Sequence, residues 1–208
     1  MAAKSTLRNM VLCLTLICLV CSAILAVVYA VTYDPIKAAE KKALVESLEM
    51  VLPQGGEISE AQSIEFGGAE YEYYVKSENG EPVAWAIKSS TVGFGGTLTL
   101  MVGVQRGSVV YATKVLAHSE TPGLGAKITD ENIQPRAQVK GRNPMTDAIS
   151  VKKDGGEIDA ITASTITSRA FLKGVNMAYE VFKQVSAPAA SEQPAEEPLN
   201  TLSDEQQQ

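Results

Sequence analysis

With 208 residues, 45% of them hydrophobic, the chain has room for one modest domain and accessory segments. Its net charge of −6 argues against a nucleic-acid surface. Cys13, Cys18 and Cys21 all lie near the N-terminus, and His118 is the single histidine, so the later chain offers no disulfide, iron–sulfur cluster or thiolate metal site, and redox chemistry there would need an organic cofactor.

A short segment, residues 1–9, carries Lys4 and Arg8 ahead of an uncharged run from residue 10 to 33. About 20 apolar residues span a bilayer, whereas the core of a signal peptide is only about 7–15 residues long. The run therefore reads as a retained transmembrane anchor, even though Val28-Tyr29-Ala30 has the look of a cleavage site. Val20 ahead of Cys21 fits a lipoprotein site poorly. Lys4 and Arg8 on one side face Lys37, Lys41 and Lys42 on the other, which leaves orientation open. No charged residue lies within the span, so this helix alone offers no ion pathway.

Residues 34–52 predict a linking helix, with Asp34 as N-cap, Pro35 at the first position, and one face marked by Ile36, Ala39, Ala43, Leu44, Leu48 and Val51. It is expected to continue from the anchor and dock on the soluble domain. Pro53-Gln54-Gly55-Gly56 ends it. Residues 71–76 and 83–89 predict a hairpin across Asn79-Gly80, and residues 97–104 and 108–116 a second around Arg106-Gly107. Trp85 is the only tryptophan and reads as core. The loop Gly93-Phe94-Gly95-Gly96 is by itself an ordinary glycine turn.

The octapeptide His118-Ser119-Glu120-Thr121-Pro122-Gly123-Leu124-Gly125 holds a rigid Pro-Gly turn, with flanking glycines that let backbone approach a flat ring. Residues 128–143 look irregular, and residues 148–153 read as a strand ending at Asp154-Gly155-Gly156. Lys152 or Lys153 could reach a phosphate or ring from it, or simply face solvent. Then comes Asp159-Ala160-Ile161-Thr162-Ala163-Ser164-Thr165-Ile166-Thr167-Ser168-Arg169, with five hydroxyl residues between Thr162 and Ser168. Phe171, Val175, Ala178, Phe182 and Val185 follow at helical spacing. The cluster thus sits at a helix N-terminus, where free N–H groups and the helix dipole favour a phosphate, and where Ser and Thr also serve as ordinary caps. From Ser186 onward there are five acids and no base, the composition of a disordered tail that could be truncated after Val185 without loss of assembly.

Two of these stretches resemble one family. The octapeptide is similar to the His-x-Glu-Thr-Pro-Gly-Leu-Gly loop of RnfG, the G component of Rnf electron-transport complexes. Asp159, Thr162 and Thr165 fall in register with the Asp-x-x-Ser/Thr-Gly-Ala-Thr motif of the FMN-binding domain family, with Ala163 and Ser164 in place of the usual Gly and Ala. The resemblance spans most of residues 8–185. It implies covalent FMN, attached by a flavin transferase as a phosphoester on Thr165, the position six residues after the motif Asp. Thr162 and Thr167 are left to cap the helix or bond phosphate oxygens. Further cofactor contacts are implied for Glu120, Thr121, Leu124, Gly125, Thr162, Ala163, Ser164, Gly95, Gly96 and, by family position, Lys152.

The expected fold is α+β: a single N-terminal transmembrane helix, then a largely antiparallel-sheet FMN-binding domain over residues 53–185 with flanking helices, then the tail at 186–208. The resemblance implies an electron-transfer subunit of an ion-translocating ferredoxin:NAD+ oxidoreductase, partnered by the other Rnf subunits, in the bacterial cytoplasmic membrane with its soluble domain outside. The C component of the Na+-translocating NADH:quinone reductase shares the domain, but the shorter chain and the His118-led loop favour the Rnf type. A third alternative is a non-redox structural subunit whose flavin site has decayed at Ala163 and Ser164.

Overall fold

The computed structural model describes residues 7–186; the predicted acidic tail lies outside the described residues, apart from Ser186. The first helix, α1, runs unbroken from Leu7 to Val51. Asp34 is therefore not an N-cap and Pro35 lies inside the helix, a correction to the two-part reading. A proline there removes one backbone hydrogen bond, yet the apolar stretch before it must satisfy its polar backbone internally and stays helical. The helix also continues through Val28-Tyr29-Ala30. Its uncharged stretch is long and apolar enough to cross a membrane. Tyr29, Tyr33 and Lys37 stack along one side at its end, with the Lys37 ammonium 5.4 Å from the Tyr33 ring centre, the aromatic and cationic make-up of an interfacial belt.

The soluble part is built on an antiparallel sheet: β1 (Glu57–Ile58), β2 (Gln62–Phe66), β3 (Ala69–Glu78), β4 (Glu81–Val92), β5 (Thr97–Gln105) and β6 (Val109–His118), in the order β1-β3-β4-β5-β6, with β2 also paired to β3. Both predicted hairpins form. Asn79 and Gly80 both take positive φ, as a two-residue turn matching strand twist requires. Gly67 and Gly68 do the same between β2 and β3, where the sequence predicts no β2 and starts β3 later.

The sheet is covered on both faces. Leu98, Leu100, Val102 and Val104 of β5 join Trp85 and Ile87 of β4 under α3 (Thr165–Ser186), where Phe171, Val175, Ala178 and Phe182 are buried. The Trp85 and Phe182 rings meet edge to face at 5.2 Å, so Trp85 belongs to the core as expected. Residues of opposite parity, Ala84, Ala86 and Met101, pack under the end of α1 at Leu48, Val51 and Leu52. A β-carbon on Gly103 would lie 1.7 Å from the Val51 carbonyl oxygen, so this glycine sets how closely α1 lies on the sheet. Only the last turns of α1 dock: Ile36, Ala39 and Ala43, predicted for the same face, are exposed.

The segment between sheet and α3 is not wholly irregular. It holds a 3-10 turn at Gly125–Thr129 and a short helix α2 (Gln134–Val139). The predicted strand at 148–153 is absent. Val151 makes a single parallel bridge to Ile158, and Lys152–Asp154 forms a 3-10 turn closed by Gly155 at φ 83°.

Candidate functional site

The hydroxyl cluster lies where the sequence places it, at the start of α3, whose first residue is Thr165. The chain reaches that helix through a turn fixed by Ser168. This fully buried hydroxyl accepts the Ile161 N–H at 2.9 Å and donates to the Ser164 carbonyl at 3.1 Å, drawing residues 161–164 across the first turn. The local cap is thus Ser168, reaching back from inside the helix. Ala163 pays for the geometry with a left-handed backbone, φ 60°. It occupies the glycine position of the family motif, and the structure shows why glycine suits it.

Facing the helix start is Glu120, 5% exposed. Its carboxylate accepts the Phe94 N–H at 2.9 Å, the Gly95 N–H at 3.4 Å and the Thr167 hydroxyl at 2.9 Å. One side chain thereby joins the loop after β4, the loop after β6 and the first turn of α3. Its backbone N–H donates to Nδ1 of His118 at 3.2 Å. The glycines around it are spaced for the carboxylate. A β-carbon on Gly93 would sit 1.8 Å from Oε1, and one on Gly125 would sit 2.5 Å from Oε2 and 2.6 Å from the Thr167 hydroxyl. Gly125 therefore makes room for Glu120, not only for a flat ring, and a bulky residue there would disturb the fold as well as any ligand. The Thr167 hydroxyl donates to Glu120, so its proton is already engaged.

Between these elements lies a cavity of about 340 Å³, lined by Glu120, Thr121, Leu124, Gly125, Ala163, Ser164 and Thr165 together with Phe94, Ile166 and Thr167. Small-molecule pockets run from about 300 to 1,000 Å³. Seven of the predicted residues thus converge on one space. The other four lie beside it. Gly95 reaches it only through Glu120, and a β-carbon on Gly96 would lie 3.0 Å from that of Ser119. Thr162 is exposed on the turn. Lys152 is outside the cavity, its ammonium 2.8 Å from the Asp159 carboxylate. Sequence reasoning missed Ile166, 50% exposed on the rim, whereas Phe94, 69% exposed there, belongs to the Gly93–Thr97 loop expected to clasp the flavin ring.

Two ion pairs brace the motif from outside. Arg169 meets Asp154 through two hydrogen bonds of 2.7 and 2.6 Å. Asp159 is met by Lys152 and by the Gln138 amide of α2. The Arg169 hydrogen bonds hold the Asp154 carboxyl below the usual carboxylate range, and those from Lys152 and Gln138 do the same for Asp159.

An antiparallel sheet under one helix, with a threonine-led helix start facing a glycine-rich loop across a small-molecule-sized cavity, defines an α+β domain carried behind a helix long and apolar enough to cross a membrane. The chain matches the FMN-binding domain family over residues 93–180 and the RnfG N-terminal region over residues 1–51. It is 33% identical over 207 residues to the G component of the ion-translocating oxidoreductase complex of Shewanella piezotolerans, covering 91% of this chain and 97% of that one. It is 34% identical over 173 residues to the protein of the same name from Vibrio atlanticus, covering 77% and 83%. The chain belongs to the RnfG family of ion-translocating oxidoreductase complexes. Among solved structures, the C component of a Na(+)-translocating NADH-quinone reductase from Parabacteroides distasonis is similar at 21% identity and a TM-score of 0.44, covering 57% of this chain and 64% of that one.

The residues present fit FMN. A helix N-terminus with a threonine hydroxyl suits the phosphate. Leu124, Ile166 and Phe94 offer apolar surface to a flat ring beside it.

Proposed function

We propose that the chain is the membrane-anchored electron-transfer subunit of an Rnf-type ferredoxin:NAD+ oxidoreductase and carries FMN as a phosphoester on Thr165. The observation that carries this reading is the meeting of two motifs, about forty residues apart in sequence, on one cavity: the Glu120–Gly125 loop and the start of α3. When bound, FMN supplies the electron chemistry and exchanges electrons with neighbouring redox subunits.

The chain's own residues do the rest. Thr165, half-buried on the cavity wall, offers its hydroxyl, while the Thr167 and Ser168 hydroxyls are taken up internally. The N–H groups at the start of α3 would favour the charge of a phosphate held there. Glu120 holds the Phe94 loop against α3, so the two walls keep a fixed separation.

Joining a hydroxyl to a phosphate needs an activated donor. A flavin dinucleotide would supply it, with Thr165 offering the hydroxyl and the flavin transferase taking up its proton and releasing the nucleoside monophosphate. The partners in this reading are the transferase, the membrane and the remaining Rnf subunits, with the soluble domain on the outer side of the cytoplasmic membrane. Anchorage there makes a covalent tether useful, because lost FMN is not readily replaced outside the cytoplasm.

The test is a denaturing gel viewed under ultraviolet light, on protein made in its host or with a flavin transferase present. The native band should fluoresce and Thr165→Ala should be dark. Ser164→Ala should label as well as the native chain, and Thr165→Ser partially. A dark native band, or label persisting in Thr165→Ala, overturns the assignment.

A further inference from the structure

The turn ahead of α3 is fastened at its two ends. From Ile158, which bridges to Val151, the chain runs six residues to the first residue of α3, and at its far end the turn is held by Ser168. At its near end it is held through Asp159. There Gln138, twenty-one residues earlier on α2, makes a matched pair: its amide nitrogen donates to the Asp159 carboxylate at 2.9 Å, and its amide oxygen accepts the Asp159 N–H at 2.6 Å. Lys152 meets the same carboxylate at 2.8 Å. Thr162 and Ala163, between the two anchorages, are exposed, and Ala163 also lines the cavity beside Thr165.

We propose that Gln138, seconded by Lys152, is a positioning residue for flavin attachment, fixing the turn from Asp159 to Ser164 so that the Thr165 hydroxyl is presented to the flavin-transferring enzyme. The inference rests on the reading of Thr165 as acceptor. It gives Lys152 a role through Asp159 in place of contact with the phosphate. The matched pair makes the case: one side chain satisfies both the backbone and the carboxylate of a single residue, which sets that residue's orientation and not merely its position. Without Gln138 the Asp159 N–H loses its partner and the turn is free to rotate about its near end, under a left-handed Ala163 that already disfavours the observed path. Because the Lys152–Asp159 pair is largely exposed, loosening it costs the folded domain little, and attachment separates from stability.

The experiment uses the full chain co-expressed with a flavin transferase, and follows in-gel flavin fluorescence over time beside thermal unfolding and amide exchange of residues 159–164. In Gln138→Ala the labelling rate should fall on the order of ten- to a hundredfold, as misplacement by about an ångström does elsewhere. Exchange in the turn should rise and the unfolding midpoint stay close to native. Lys152→Met should slow labelling less, and Lys152→Arg should restore it. Native-rate labelling of Gln138→Ala overturns the proposal. So does a Gln138→Ala chain that labels slowly only because its unfolding midpoint collapses, which would make Gln138 structural. An unlabelled native chain fails earlier: it removes the covalent reading and this inference with it.

Discussion

Ala163 shows how one side chain strains a site. An L-residue in the left-handed region costs about 1–2 kcal/mol, while glycine's extra freedom in the unfolded chain costs about 0.5–1 kcal/mol. Ala163 is exposed, so little else changes when its methyl is removed. Ala163→Gly should therefore stabilise the domain by up to about 1 kcal/mol, read as a higher denaturant midpoint at unchanged slope. A lower midpoint would mean that the methyl packs in solution against something that outweighs the strain. The same residue scale explains what the sequence concealed. Glu120 could be placed at the site by resemblance, but not as the tie between three segments, because two of its partners are backbone N–H groups that carry no sequence signature.

The central hairpins were legible because alternation and turn chemistry agree: β5 buries Leu98, Leu100, Val102 and Val104 on one face, and Asn79-Gly80 closes β3 to β4. Strands β1 and β2 were not legible, since their residues are mostly exposed on both sides and no apolar alternation marks them. The strand expected at 148–153 failed for a related reason: the apolar pair Ile149 and Val151 faces the core, but a 3-10 turn follows at once. The hydroxyl cluster at the head of α3 was legible because the apolar period that follows it leaves only one place for the helix to begin. Two ties fasten that segment, Arg169 to Asp154 and Lys152 to Asp159, and both carboxyls titrate below their ordinary range. Depressed values give a contribution that is full above about pH 5 and is lost as pH falls through and below about 4. Both pairs are largely exposed, so stability should fall only slightly on acidification below about pH 4, and Arg169→Gln should flatten part of that fall in a series of thermal melts. An identical acid limb in the variant would mean that other carboxylates carry it.

At the scale of the whole molecule, the anchor and the sheet are joined by one helix with no loop between them, and its last turns are seated against Gly103. Such a helix is a keyed shaft. Each residue added to its exposed stretch lifts the domain by about 1.5 Å and turns it by about 100°. Height and heading are therefore coupled, and a change in one cannot be made without the other. Two residues inserted after Glu40 should point the cavity mouth away from its neighbours and slow electron transfer in the assembled complex. Seven inserted residues, close to two full turns, raise the domain by about 10 Å while restoring its heading, and should do less harm. If a flexible glycine stretch in place of residues 38–43 supports native rates, the shaft carries no bearing and the domain finds its partners by diffusion on a leash. If it does not, the compass direction of the cavity is written in the number of residues between the bilayer and the sheet.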